Sequence, residues 1–297
     1  MISIRNGLAS LCVVGALAGV SACAQTSTAE PAAEQPTAAP TVETTTTVAP
    51  TTVEPTTTVA PTTTTVAPTT VAPTTTAPPR GQIVGRSPFP IVAVGASNGP
   101  DTVNVQNRLS QLGFWNGLPD GQYGFATLQA VMAFQKYIGL EPSGRVDEPT
   151  AAFLTELTEK SYGTADSGTL VEIDKAKQLL FIIVDGTTLW TFNTSTGSGI
   201  PYEAINKNDP TKVEKGDAIT PNGLWETNRE RPDGWWEGDL GQIYRPKYFK
   251  GGIAIHGMTS VPNYPASHGC VRVSTQAMDF IWDSGLVPLR TPIWVHG

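Results

Sequence analysis

Residues 36–79 set the first limit on what this chain can fold into. Threonine fills about every second position there, and the stretch has no aromatic residue and no Leu, Ile, Phe or Met. Such a composition cannot bury enough apolar surface to offset the entropy of ordering its backbone. Val-Ala-Pro recurs at Val48, Val59, Val66 and Val71, but the uneven spacings of 11, 7 and 5 mark biased composition, not a stacked repeat. Proline favours extended polyproline II, and about 3.1 Å per residue gives residues 24–87 an upper reach of roughly 200 Å. The segment is a spacer, and its threonines permit O-glycosylation. Packed structure is expected only after it.

The residues before the spacer carry an address. Arg5 gives a short positive start, and residues 8–20 form an apolar run of 13, well short of the roughly 20 that a membrane-spanning helix needs. Residues 1–22 are therefore expected to be an export signal. Val20-Ser21-Ala22-Cys23 resembles the lipobox of bacterial lipoproteins, in which cleavage precedes the cysteine and its thiol is lipidated. A plain secretory peptide is the alternative, and it would leave Cys23 as an unpaired exported thiol. Lipidation adds more than one acyl chain, enough for stable anchoring. The expectation is an extracytoplasmic, membrane-anchored lipoprotein of the cell envelope, with the choice of membrane left open. The net charge of −7 is spread thinly, with 2 basic and 4 acidic residues up to position 80, 5 and 7 in residues 81–160, and 12 and 15 in residues 161–297. No block is basic, which argues against a nucleic-acid partner.

From about Ser87 the pattern becomes helical. Val105, Leu109 and Leu112 repeat at i, i+4 and i+7 and stop at Gly113. Leu128, Val131, Phe134 and Ile138 line a second helix that Gly139 closes, and Asp147 with Pro149 opens a third through Phe153, Leu154 and Leu157. Leu112-Gly113-Phe114, Asp120-Gly121-Gln122-Tyr123-Gly124, Phe134-Gln135, Gly139-Leu140 and Gly144-Arg145-Val146-Asp147 resemble, in order, the peptidoglycan-binding domain 1 family. That resemblance implies a small three-helix wall-binding domain over residues 88–160, with glycan as its partner. Taken one by one, most of these residues serve turns and core.

After Thr169 the period changes to two. Val171 and Ile173 alternate with polar residues, 178–184 is an apolar strand, Asp185-Gly186 is a turn, and Trp190, Phe192 and Thr194 alternate along a partner. Further strands are expected at 223–227, 252–256, 270–273 and 292–296. One helix interrupts them, capped by Ser274, with Ala277, Met278 and Ile281 facing inward and Gly285 ending it. Residues 168–297 thus predict a mostly-β sandwich or open barrel with one or two helices.

The chemistry lies in Ile255-His256-Gly257 and Ser267-His268-Gly269-Cys270-Val271-Arg272-Val273. With Cys12 removed by export and Cys23 lipidated, Cys270 is the only thiol left, so no intramolecular disulfide is available. A free thiol outside the cytoplasm is exposed to oxidation, which favours a reactive role over a core role. A thiol titrates near 8.5 and needs an imidazole to take its proton, for which His256 and His268 are the candidates. Gly269 permits close backbone approach, so amides around Cys270 are candidates for an oxyanion hole. Zinc is a competing reading of one Cys and two His, but no fourth ligand is evident and no metal or other cofactor is expected.

Thr220-Pro221-Asn222-Gly223, His256-Gly257 and Ser267-His268-Gly269-Cys270-Val271-Arg272 resemble, in order, the L,D-transpeptidase catalytic (YkuD-like) family. By that resemblance Cys270 is the nucleophile and His256 the general base, with its second ring nitrogen oriented by the Gly257 carbonyl. His268 and Gly269 shape the oxyanion side, and Ser267 and Arg272 are substrate-binding candidates. Arg272 has two readings, a contact to a substrate carboxylate or a buried structural ion pair. The implied reaction is attack on a tetrapeptide stem, release of D-alanine, and 3,3 cross-linking through a thioester. Water as acceptor would make a carboxypeptidase, and a protein amine an anchoring transferase. Carbapenems are the implied inhibitors. A non-catalytic wall-binding lipoprotein is opposed by the intact His256, His268 and Cys270, and a sortase-like reading by the S-H-G-C run.

Two long polar segments, 199–220 and 228–250, separate the strands. The second holds Trp235, Trp236, Tyr244, Tyr248 and Phe249 among glycines and prolines. Its length suggests a lid or wall over the thiol, with Trp235 packing on substrate, or else a satellite core under a long loop. His296 is expected to be an unrelated surface or strand-end histidine.

Overall fold

The computed structural model describes residues 81–297. The export signal, Cys23 and the spacer up to residue 80 lie outside the described residues. Among the described residues no helix is long and apolar enough to cross a membrane. Backbone pairing begins before residue 88. Lys160 donates to the Gln82 carbonyl, and the Val84 and Ser87 amides donate to Thr158 and Thr155, so the end of the expected spacer is part of the folded unit.

Three helices come first, α1 (Pro100–Gln111), α2 (Phe125–Ile138) and α3 (Glu148–Glu156). The first two close, and the third opens, where the sequence predicts. Gly113 (φ 86°) follows the last turn of α1, and Gly139 (φ 78°) closes α2 in the left-handed region that a side chain would disfavour. Asp147 caps α3 by accepting the Thr150 amide at 3.0 Å. Val105, Leu109, Leu112, Val131 and Leu154 are buried, and the Phe114 and Phe134 rings meet edge to face at 5.4 Å.

The β region begins with a meander of β1 (Leu170–Asp174), β2 (Leu179–Val184) and β3 (Thr187–Asn193). A hairpin of β4 (Tyr202–Ile205) and β5 (Val213–Gly216) follows, then β6 (Gly223–Glu226), β7 (Arg229–Glu230), β8 (Trp235–Gly238), β9 (Gly241–Lys250) and β10 (Ile253–Met258). The chain ends with β11 (Val271–Ser274), α4 (Thr275–Asp283) and β12 (Pro292–His296). One sheet has the order β3-β2-β1-β12-β6, and the other β11-β10-β9-β7 with β8 on β9. The β1–β12 and β10–β11 pairs are parallel. This is a small helical domain followed by a mostly-β fold with one helix, α4.

Strand β2 explains how the two parts meet. Leu180 and Ile182 join Val171, Ile173, Phe249, Ile255, Val271, Val273 and Met278 in the core between the sheets and α4. The alternate residues Leu179, Phe181 and Ile183 join Phe114, Phe134 and Leu154 in the core of the helices. Successive strand side chains point to opposite faces, so an unbroken apolar run means that both faces are covered. Burial of each such side chain contributes roughly 1.5–3 kcal/mol.

The two segments expected as loops are largely strands. Residues 199–220 contain the β4–β5 hairpin, and residues 228–250 contain β7, β8 and β9, of which β9 is the longest strand at 10 residues. Pro246 concealed β9. It lies where the β9–β10 register shifts, beside Arg245 at φ 46°, and at such a bulge proline has no ladder amide to lose. Tyr248 and Phe249 are buried residues of β9.

Candidate active site

His256 and Cys270 reach one cavity from adjacent parallel elements. In the β10–β11 register His256 stands opposite Arg272, which places Cys270 just before β11 begins. The cavity has a volume of about 610 Å³, and His256, Ser267, His268, Cys270 and Arg272 all line it. The expected cluster is therefore brought together.

His256 is 2% exposed, and its Nδ1 lies 3.0 Å from the Gly257 carbonyl oxygen. A carbonyl only accepts, so Nδ1 carries the proton and Nε2 keeps its lone pair. Gly257 also has a packing reason to be glycine, since a Cβ there would come within 2.9 Å of the Tyr244 ring and 3.1 Å of Met278 on α4. Burial pushes the His256 imidazole down to about 4, against the pull of the Gly257 carbonyl, and the Arg272 charge adds to the depression. Burial pushes the Cys270 thiol up, while the Ala254 amide and the Arg272 charge draw it back. Burial, then Arg272, lowers His268. In this environment thiol and imidazole both rest neutral.

A net of hydrogen bonds holds the turn before Cys270. Ser267 Oγ donates to the Cys270 carbonyl at 2.5 Å and accepts the Gly269 amide at 3.0 Å. Gly269 has φ 127°, and a Cβ there would lie 3.0 Å from the Ile219 oxygen. Thr220 Oγ1 donates to the Gly269 carbonyl at 2.7 Å and accepts the Gly197 amide at 2.9 Å, which gives the Thr-Pro-x-Gly motif a physical task. Two expectations change here. The Gly269 amide, one of the expected oxyanion-hole candidates, donates within the turn. The Ser267 hydroxyl, at the cavity wall, is likewise engaged within the turn.

Arg272 makes no ion pair with a carboxylate among the described residues, and its buried Nε has no partner. Of its two readings, the structural ion pair is the one that finds no support. Trp235 packs at a tilt against Tyr244, ring centroids 5.3 Å apart, and is not among the cavity-lining residues, whereas its neighbour Trp236 is. Strand alternation is the signal that separates the two. Tyr248 of the aromatic-rich segment lines the cavity too, as do Tyr202 of β4, whose ring packs on His268 at 4.6 Å, and Arg229 and Arg231, which were not singled out by sequence. Arg229 lies over the Tyr248 ring and Arg231 over Trp236, at 4.0 and 4.2 Å. His296 pairs instead with the fully buried Glu172 at 2.9 Å. No three His, Cys, Asp or Glu side chains among the described residues are grouped to hold a metal ion.

Residues 168–295 match a family model described as the L,D-transpeptidase catalytic domain, and residues 98–154 match one described as a peptidoglycan binding domain. The crystal structure of an L,D-transpeptidase from Xylanimonas cellulosilytica is 40% identical, with a TM-score of 0.60, over 74% of this chain and 100% of that one. The spore cortex-lytic enzyme of Bacillus cereus is 35% identical over 79 residues, 27% of this chain and 30% of that protein. The N-acetylmuramoyl-L-alanine amidase CwlM of Mycobacterium tuberculosis is 37% identical over 65 residues, 22% of this chain and 16% of that protein. The chain thus spans less than a third of the length of either curated relative.

Proposed function

This chain belongs to the L,D-transpeptidase family, and from that premise we propose a peptidoglycan acyltransferase with Cys270 as nucleophile and His256 as general base. The observation that carries the reading is His256 Nδ1 tied to the Gly257 carbonyl inside the cavity that Cys270 lines. The free Nε2 then takes the Sγ proton as sulfur attacks the carbonyl between the third stem residue and D-alanine. Collapse of the tetrahedral intermediate breaks the C–N bond, and His256 returns the proton to the departing D-alanine amine. The stem remains as a Cys270 thioester. The side-chain amine of a second stem attacks it, gives its proton to His256 and leaves a 3,3 cross-link, with the thiol restored.

His268 is assigned to the oxyanion side, and the unpaired Arg272 guanidinium to a stem carboxylate. Residues 88–160 bring the site to glycan, and the enzyme works outside the cytoplasm, tethered through lipidated Cys23 and the spacer. The same thioester would trap carbapenems. Intact mass spectrometry with meropenem should show a single adduct that Cys270→Ala abolishes, and an adduct surviving that substitution would refute the assignment. Digestion of purified sacculi treated with the enzyme should yield 3,3-linked dimers. Trimmed tripeptides alone would make water the acceptor, and a linked protein would make the enzyme an anchoring transferase.

A further inference from the structure

The helical domain touches the catalytic segment itself. Gln129 of α2 is 6% exposed, and its Nε2 donates at 3.0 Å to the carbonyl of Val261, which is 2% exposed and lies in the connection from β10 to Cys270. The same Gln129 accepts at 2.6 Å from Asn193 Nδ2, which also reaches the Val261 carbonyl at 3.4 Å. Two turns further along α2, Lys136 Nζ donates to Asn193 Oδ1 at 2.5 Å and to the Gln178 and Thr194 carbonyls at 3.2 and 3.3 Å. Three acceptors match the three N–H bonds of an ammonium, and they oppose the burial that pushes this amine down to about 7. Thr194 passes the contact on, since its Oγ1 donates to the Arg272 carbonyl at 2.7 Å. From the loop side, Asn263 Nδ2 donates to the Pro142 carbonyl at 3.1 Å.

Gln129 and Lys136 thus brace the chain on both sides of Cys270, at Val261 before it and, through Thr194, at Arg272 after it. We infer that Gln129 and Lys136 are positioning residues for the acylation step, which makes the helical domain a structural part of the active site as well as its wall-binding arm. The inference rests on Cys270 being the nucleophile. Its physical basis is that misplacing a reacting atom by about 1 Å can cost on the order of 100-fold in rate.

The test uses the full chain and a matched control. Gln129→Met removes both amide hydrogen bonds at nearly constant volume. Gln135→Met removes the amide of a residue of the same helix, 1% exposed, with four hydrogen bonds, to Ser143, Gly144, Arg145 and Thr150, and none to the catalytic connection. Acylation by meropenem is followed by mass spectrometry with the adduct located by peptide mapping, and amide hydrogen exchange is followed over residues 259–270.

Gln129→Met should lower the limiting acylation rate about tenfold with the half-saturating concentration unchanged, and raise exchange across 259–270. Gln135→Met, at a comparable loss of thermal stability, should leave both near wild type. Asn263→Ala, at a half-buried site, carries the same expectation at about threefold if Gln129→Met does not fold. A wild-type rate with unchanged exchange in Gln129→Met, or an equal fall in Gln135→Met, would overturn the inference. If wild-type Cys270 takes no adduct, the proposed reaction fails, while the exchange pattern still decides whether the brace exists.

Discussion

His256 carries two predictions that share one cause. Its imidazole is nearly sealed from water and held down to about 4, against about 6.5 in an unfolded chain. In the proposed role of general base it must be neutral, so the rate of Cys270 acylation should hold as pH falls to about 5 and drop only as it passes about 4. An acid limb near 6.5 in the pH–rate profile would mean that the imidazole is solvated and the site wrongly read. Because the folded state refuses a proton that the unfolded state accepts, stability is full above the unfolded value and falls as pH drops from about 6.5 to 4. The shift corresponds to about 3 kcal/mol, measurable by urea unfolding across that range. Gly269→Ala should cost about 1–3 kcal/mol, because alanine at φ 127° is strained and its Cβ meets the Ile219 carbonyl. It should also slow acylation at least tenfold by moving the adjoining Cys270, and a wild-type rate would sever the turn from the chemistry. Residue identity was the legible part. The titratable types and the glycine of Ser-His-Gly-Cys stood in the sequence, whereas the use of the Gly269 amide by Ser267 needed the turn's geometry.

At the scale of elements, legibility tracked how strongly a single physical signal dominated. Helices α1 and α2 closed at the glycines expected of them, α3 opened at the expected aspartate cap, and β12 spans the predicted 292–296. Strand β9 was hidden because Pro246 speaks against a ladder unless a bulge receives it, and bulges depend on the partner strand. The same dependence governs Thr220, whose value comes from two partners distant in sequence, Gly197 and Gly269. Thr220→Val keeps the shape and removes the hydroxyl, leaving the half-buried Gly197 amide and the buried Gly269 carbonyl short of a partner. The expected cost is about 1–3 kcal/mol in urea unfolding, with slower acylation of Cys270 because the turn loses its tie. A stable variant with unimpaired acylation would show that the Thr-Pro-x-Gly segment is not what holds the turn.

For the whole molecule, a chain of separable beads is the natural sequence reading, with a wall-binding bead joined to a catalytic one. Strand β2 argues otherwise, since Leu179, Phe181 and Ile183 complete the core of the helices while Leu180 and Ile182 complete that between the sheets. The run 178–184 shows that two faces are buried but cannot say what covers each, because hydrophobic burial is non-directional. A shared strand makes each core conditional on the other. The helical domain and the β fold should therefore unfold together in a single urea transition, with far-UV circular dichroism and tryptophan fluorescence superimposing. Phe181→Ala, which removes a ring from the helical core while leaving the inter-sheet face intact, should lower stability by about 3–5 kcal/mol and shift both signals equally. If the far-UV signal of the helices instead melted ahead of the tryptophans, the two parts would be independent, and a brace from α2 to the Cys270 segment could not be rigid.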